Sequence, residues 1–382
     1  MIILLTIIVC TLLTSAYVVL MLAYTKGWAT QNDFVLPPVY EPHTRISVII
    51  PARNESQHIG ACIESILGQK YPDELFEIIV VDDHSEDYTA GVVHEYTDRN
   101  VRCIRLADII TPGKEINAYK KAALAAGIAH SNGELIVTTD ADCIAPNAWL
   151  MHLAAMYELQ SPAMIIAPVI YSSKTTSLHL FQLIDFMGMQ GITAAAHRLG
   201  LGNMSNGANL AFTKAAFMRV KGYEGIEHLA SGDDYLLMMK IKKAYPDGIA
   251  YLKSAKAIVT TAPQPGWRSF LQQRIRWASK SGKYNDARLT LILLLVYLFN
   301  FSLLALGIGG FFVSELWYIA GIMLAAKIIA ELVFIIPVAW FFRKEWALGY
   351  FPLLQPLHVM YIVLAGFLGF FGGYEWKGRR VK

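Results

Sequence analysis

The chain has 382 residues, 55% of them hydrophobic and only 16% charged, with a formal net charge of +3 and a mean hydropathy of +0.40. Soluble domains carry about a quarter charged residues, so this composition excludes a disordered chain and argues against a wholly soluble one. The small net charge gives no basis for nucleic-acid binding, and four scattered cysteines, Cys10, Cys62, Cys103 and Cys143, fit neither a zinc knuckle nor a disulfide scaffold.

Met1 to Tyr24 is uncharged, and about 20 apolar residues suffice to cross a bilayer. Lys26 follows this run rather than preceding it. That order favours a retained anchor over residues 1–25 against a cleaved signal peptide. Asn32 to Thr44 contains Pro37, Pro38 and Pro42 and reads as an extended linker.

Strand and helix signals then alternate. Ile46–Ile50 is a short β-branched run ended by Pro51, and Glu55–Gly68 places Ile59, Ile63, Ile66 and Leu67 on one helix side. Phe76–Val81 reads as a strand, Gly91–Tyr96 as a weak helix and Val101–Leu106 as a third strand. Asn117–Ala129 reads as a helix and Glu134–Thr139 as a fourth strand. The alternation predicts an α/β domain over residues 40–285, with a mostly parallel sheet and helices on both faces.

Phe181 to Gly202 is apolar and carries Met187 and Met189; it suits an acceptor path or a packed core equally. From Lys253 to Arg288 the basic residues Lys253, Lys256, Arg268, Arg274, Arg276, Lys280, Lys283 and Arg288 interleave with Trp267, Phe270, Leu271 and Trp277. Such a segment suits a basic amphipathic helix on an anionic membrane surface.

Residues 289–374 hold three apolar blocks: Leu289–Val313, Leu316–Phe342 and Tyr350–Tyr374. Two read as spans. The third, interrupted by Pro352 and Pro356, reads as a span or a re-entrant segment. Lys327 and Glu331 are four apart on one helix face and are read as a structural ion pair. Lys26, Arg343 and Lys344 flank apolar runs, which points to an integral protein of the cell (inner) membrane with a cytoplasmic catalytic domain.

Three polar clusters directly follow predicted strands: Pro51-Ala52-Arg53-Asn54-Glu55, Asp82-Asp83-His84-Ser85 and Asp140-Ala141-Asp142. In open α/β sheets ligands bind beyond the carboxyl ends of the strands. Each cluster alone suits a turn or helix cap; together they describe one site. Two carboxylates one residue apart suit a divalent metal, Mg²⁺ or Mn²⁺, shared with substrate phosphates.

The pattern Ser47 to Glu55, Val80 to Ser85 and Thr139 to Asp142 resembles the family 2 inverting glycosyltransferases with a GT-A fold. Gly232-Asp233-Asp234 looks like that family's acidic pair, with Asp233 where many relatives carry Glu. His84 stands where many have Gly or Asn. Gln273-Arg274-Ile275-Arg276-Trp277 matches its Gln-x-x-Arg-Trp motif, and Asn206-Gly207-Ala208-Asn209 its Gly-Ala-Asn segment. The resemblance covers roughly residues 45–280.

It implies that Pro51, Arg53 and Glu55 line the nucleotide pocket, that Asp83 bonds the base and that Lys120 lies near the nucleotide. It further implies that Asp140 touches the ribose or sugar, that Asp142 holds the metal and that Asp234 is the catalytic base. Gln273, Arg276 and Trp277 would bind the diphosphate and shape the acceptor end. The implied activity is metal-dependent transfer of a sugar from a nucleotide-diphosphate donor, a UDP-sugar in the first instance, to a lipid or lipid-linked acceptor. A processive polysaccharide synthase of the same family is the alternative. A silent scaffold or nucleotide-sugar sensor is disfavoured by the intact motifs, and a transporter by the few spans.

Overall fold

The structure, a computed structural model, describes residues 2–110, 117–172, 176–201, 204–229, 232–279, 286–371, 374–376 and 379–381. In chain order the elements are α1 (Ile2–Thr30), β1 (Ile46–Ala52), α2 (Ile59–Leu67), β2 (Phe76–Asp82), α3 (Thr89–His94), β3 (Val101–Arg105), α4 (Leu106–Ile109) and α5 (Tyr119–Ala129). There follow β4 (Leu135–Thr138), α6 (Trp149–Gln160), β5 (Met164–Ile166), β6 (Val169–Tyr171), α7 (Ser177–Leu199), β7 (Leu210–Thr213), α8 (Lys214–Arg219) and α9 (Asp233–Ala244). The chain continues through β8 (Ile249–Tyr251), β9 (Val259–Thr261), α10 (Trp267–Ala278), α11 (Ala287–Gly309), α12 (Glu315–Phe342) and α13 (Phe351–Phe371). Two compact units emerge: Asn32–Ser172 with Met204–Ala262, and Met1–Gln31 with Ser173–Asn203 and Pro263–Lys382.

The first unit is built on a seven-stranded sheet of order β3-β2-β1-β4-β7-β5-β8. β1 pairs in parallel with both β2 and β4, and β2 with β3. Ile46, Val48, Ile49 and Ile50 of β1 and Ile78, Ile79, Val80 and Val81 of β2 are fully buried. Helices on both faces of a parallel sheet account for such unbroken apolar runs. β7 runs antiparallel to both β4 and β5. The register Ala52↔Asp82 brings the ends of β1 and β2 level, which sets two of the polar clusters side by side.

One buried carboxylate locks the opposite end of these strands. Glu77 Oε1 accepts from Ser47 Oγ at 2.6 Å and from the Asn132 amide at 2.6 Å, while Arg102 donates to Oε2 at 2.6 Å. Burial pushes the Glu77 carboxyl up, but these donors outweigh it and hold it below its ordinary value of 4.5. The resulting stabilisation is complete above that ordinary value and is lost as pH falls through the depressed folded one. Glu77→Gln should therefore cost about 1–3 kcal/mol near neutral pH and flatten the acid limb of a thermal-melting series recorded against pH.

The second unit is helical. α1 packs on α7, α11 and α12, α11 on α12 and α13, and α10 on α13. A Cβ on Gly191 of α7 would stand 2.7 Å from Val338 Cγ2 and 2.9 Å from Phe334 Cζ of α12, so only glycine allows this crossing. Among the described residues four helical segments are long and apolar enough to cross a membrane: Ile3–Thr30, Ala287–Gly309, Glu315–Phe342 and Glu345–Phe370. The last includes α13, which runs unbroken through Pro356.

The two units share residues 40–285 between them. α7 and α10, both expected inside the soluble domain, cluster with the apolar helices. Lys253, counted with the basic segment, belongs instead to the sheet unit, where its Nζ lies 3.1 Å from Asp33. Arg274, counted with the same segment, is 3% exposed and paired with Asp185, so it faces neither water nor head groups. Lys280 and Lys283 lie outside the described residues.

Candidate active site

Where β1 and β2 end, their loops are laced to each other. The Asn54 amide donates to Ser85 Oγ at 3.0 Å, and Asn54 Oδ1 accepts from the Glu86 amide at 2.8 Å. The Glu55 amide donates to Thr89 Oγ1 at 2.8 Å and the Ser56 amide to Asp87 Oδ2 at 3.1 Å. Asn54 and His84 hold left-handed φ values of 52° and 55°. Asn adopts that region readily; for His it carries a cost of about 1–2 kcal/mol, which the cross-loop bonds offset.

These loops fix the expected donor-binding groups. Pro51 sits on β1 opposite Val81. The Arg53 guanidinium lies 3.7 Å from Glu86, and Glu55 lies 3.1 Å from His58. Asp83 is 3% exposed; its amide donates to the Ala52 carbonyl at 2.8 Å and its Oδ1 lies 2.9 Å from His84 Nδ1. Burial pushes the Asp83 carboxyl up, against the His84 contact and the Arg53 charge. His84 is thus tied to Asp83.

Beyond β4, the Asp140-Ala141-Asp142 turn is held from below by α2, through Cys62 Sγ at 3.6 Å from the Asp140 carbonyl. Ligand atoms of Asp140, Asp142 and Cys143 lie within 4.8 Å of one another. Burial, then the Asp140 and Glu55 charges, push the Asp142 carboxyl above its ordinary 3.8. Burial and the same aspartates push the Cys143 thiol well above its ordinary value. A thiol so raised stays protonated, which leaves two hard carboxylates as the donor set.

Lys120 of α5 ties this turn to the start of α9. Its Nζ donates to Asp140 Oδ1 at 2.7 Å and lies 3.5 Å from Asp233 Oδ2. Burial presses the ammonium down, but Asp140, Asp233 and Asp234 outweigh it, so Lys120 is charged throughout the working pH range. Asp234 occupies the first turn of α9, where carboxylates meet the positive end of the helix dipole. Gly232, at φ 81°, supplies the left-handed entry that a side chain would resist. The Gly207 amide donates to Asp234 Oδ2 at 3.2 Å, and the Gly207 carbonyl accepts from Thr138 Oγ1 of β4 at 2.9 Å. Lys120, Asp140, Asp233 and Asp234, drawn from two helices and one turn, thus form one cluster.

One contributor escaped the sequence reading. Lys121, 2% exposed, donates to the Leu229 carbonyl just before the acidic pair. Asn209 donates to the Pro168 and Ala257 carbonyls at 2.8 Å each and accepts from Trp149 Nε1 at 2.8 Å. The Asn209 side chain is thereby committed to the scaffold. Gln273, Arg276 and Trp277 belong to α10 in the helical unit. There Gln273 Oε1 accepts from Arg274 at 2.9 Å, and the Trp277 ring lies against Phe186 with centroids 6.2 Å apart.

Comparison with known proteins bears on this geometry. The model for "Glycosyl transferase family 2" matches residues 47–218, and that for "Glycosyl transferase family group 2" matches residues 135–369. A probable glycosyltransferase, YdaM of Bacillus subtilis, is 27% identical over 239 residues, which is 61% of this chain and 54% of the relative. An N-acetylglucosaminyltransferase of Rhizobium meliloti is 26% identical over 74% of this chain and 66% of its own length. A dolichyl-phosphate beta-glucosyltransferase of Trichomonas vaginalis, ALG5D, is 35% identical over 27% of this chain and 31% of its own length. The chain thus spans about half or less of the first curated relatives it matches. Among solved structures, the mannosyltransferase PcManGT of Pyrobaculum calidifontis, in complex with GDP-Man and Mn²⁺, superposes with a TM-score of 0.58. It is 20% identical, and the match covers 95% of this chain and 97% of that one. The central sheet unit has the GT-A fold.

Proposed function

The chain belongs to glycosyl transferase family group 2, and we propose that it moves a sugar from a nucleotide-diphosphate donor to a lipid or lipid-linked acceptor, with inversion. The observation that carries this reading is the Lys120 bridge, 2.7 Å to Asp140 and 3.5 Å to Asp233. It joins a carboxylate turn suited to a diphosphate-bound metal to a helix start suited to a base.

Asp83 and Arg53 would receive the base of the donor, with Pro51 and Glu55 lining that pocket. Asp140 would meet the ribose or sugar and Asp142 would hold Mg²⁺ or Mn²⁺. A divalent ion at these carboxylates would offset the negative charge that grows on the leaving diphosphate. Lys120, charged and half-buried, adds a fixed cation on the same side. Asp234 would accept the proton of the attacking hydroxyl, on the acceptor side of the anomeric carbon. Attack from that side, opposite the diphosphate, inverts the configuration. Gln273 and Arg276 would bind the diphosphate, the planar guanidinium suiting paired phosphate oxygens, and Trp277 would shape the acceptor end.

Four apolar helices and a partial likeness to a dolichyl-phosphate glucosyltransferase support an acceptor drawn from the bilayer. Lys26, Arg343 and Lys344, at the ends of apolar helices, support a cytoplasmic placement of the sheet unit at the inner membrane. The test is to incubate membranes containing the protein with a panel of labelled nucleotide sugars and extract the lipids. Label in a small lipid of defined mass is the expected result. Label in a long polymer replaces the acceptor by a growing chain, and no transfer from any donor overturns the reading.

A further inference from the structure

Hydrocarbon offers an ionised side chain no solvent, so charges within apolar helices persist when paired. The helical unit contains a connected set of them. Lys327 of α12 is fully buried; its Nζ donates to Glu331 Oε1 and to Gln355 Oε1, both at 2.6 Å. Glu331 also accepts from the Tyr17 hydroxyl of α1 and from Gln355 Nε2 at 2.7 Å. The same ammonium stands 3.2 Å from His358 Nδ1 of α13. An ammonium can only donate, so Nδ1 accepts and the imidazole proton sits on Nε2. That nitrogen lies 3.7 Å from Asp185 Oδ1 of α7.

Asp185 leads out of this set toward the motif helix. Its Oδ1 accepts from the Tyr361 hydroxyl at 3.1 Å, and its Oδ2 accepts from Arg274 Nε at 3.1 Å and from a terminal guanidinium nitrogen at 2.6 Å. Arg274 occupies the first variable position of Gln-x-x-Arg-Trp. It donates to Gln273 Oε1 at 2.9 Å, and its guanidinium carbon lies 4.2 Å from the centre of the Trp277 ring. One arginine therefore holds two of the three motif side chains, and one aspartate holds that arginine. Lys327 and Arg274 balance Glu331 and Asp185, so the whole set is neutral without a further ion.

We propose that Asp185 is a positioning residue for the transfer reaction. Acting through Arg274 it fixes Gln273 and Trp277, and the Lys327–Glu331–Gln355–His358 group fixes Asp185 in turn. The geometry of the motif is thus set from within the membrane helices. A Lys–Glu pair needed only to neutralise itself would end at Glu331; this one also engages Gln355 and His358, and the His358 Nε2 lies 3.7 Å from the aspartate that grips the motif arginine. The consequence for turnover rests on the glycosyltransferase reading, whereas the mechanical coupling does not.

The test uses full-length protein in lipid nanodiscs, with Asp185→Asn and the double variant Lys327→Met with Glu331→Met. The double variant keeps side-chain volume and leaves neither charge stranded. Backbone hydrogen exchange of residues 267–278, the thermal midpoint, and kcat and KM for the donor are measured together. Both variants are expected to speed exchange across α10 by about tenfold or more relative to α11 and α12. Both should lower kcat about tenfold with donor KM within about threefold, the pattern of a contact made in the transition state. The double variant should do so with the exchange protection of α11 and α12 kept. Unchanged α10 exchange in the double variant overturns the proposal, as does a loss of protection spread evenly over all helices. If wild-type protein transfers no sugar, the functional reading fails while the exchange comparison still decides the coupling.

Discussion

Asp234→Asn is expected to lower kcat by about 10²–10⁴-fold with an alcohol acceptor, the range a general base supplies. The substitution preserves the shape of the side chain. One oxygen remains to accept from the Gly207 amide, now 3.2 Å from Oδ2, or from the Tyr235 amide, now 2.7 Å from Oδ1. The start of α9 should hold, so the loss reports proton acceptance rather than unfolding. Acceptor chemistry then enters the result. A lipid phosphate is already ionised near neutral pH and brings its own nucleophilic oxygen, so it has no proton to give up. Assaying the variant against an alcohol-headed and a phosphate-headed lipid in the same vesicles separates the two cases. A large loss confined to the alcohol identifies Asp234 as the base; full activity with an alcohol acceptor removes that role. Asp233→Asn should cost less, because Asp233 acts through Lys120 at 3.5 Å.

The parallel half of the sheet was legible because β1, β2 and β4 are buried on both faces and so spell apolar runs. The strand-end clusters followed from the same fact, since polarity begins where burial ends. The short strands beyond it were not legible. β5, β6, β8 and β9 are three residues each, too short for a period of two to show. α7 read as ambiguous because Gln182, Asp185 and Gln190 interrupt its apolar surface, yet all three are buried. Their partners are distant in sequence: Gln182 exchanges hydrogen bonds with the Gln264 backbone, and Asp185 meets Arg274 across 89 positions. For the same reason Arg274 looked like one more surface cation in a basic run. At the site, Asp140, Asp142 and Asp234 were named from motif alone. What sequence could not supply was the bridge, because nothing in the spacing of Lys120, Asp140 and Asp233 says that one ammonium reaches both carboxylates.

Asp142→Asn tests the metal half of the site. Replacing the carboxylate assigned to the ion weakens a hard cation's hold, and the charge stabilisation such an ion supplies is worth several kcal/mol. At 1.36 kcal/mol per tenfold, that corresponds to a loss on the order of a thousandfold at limiting metal. The loss should shrink as Mn²⁺ or Mg²⁺ is raised, because Asn keeps one oxygen ligand, and a metal titration of initial rates reads this directly. The free site adds a pH signature. Burial and the Asp140 and Glu55 charges raise the Asp142 carboxyl above its ordinary 3.8, so protons compete with the ion at a higher pH than for an exposed aspartate. In wild-type protein the metal concentration for half-maximal rate should therefore climb as pH falls toward that raised value. In Asp142→Asn, which has no proton to take up at that position, the climb should be shallower. Equal metal requirement and equal pH slope in the two proteins would place the ion elsewhere and leave Asp142 a half-buried carboxylate without a ligand's role.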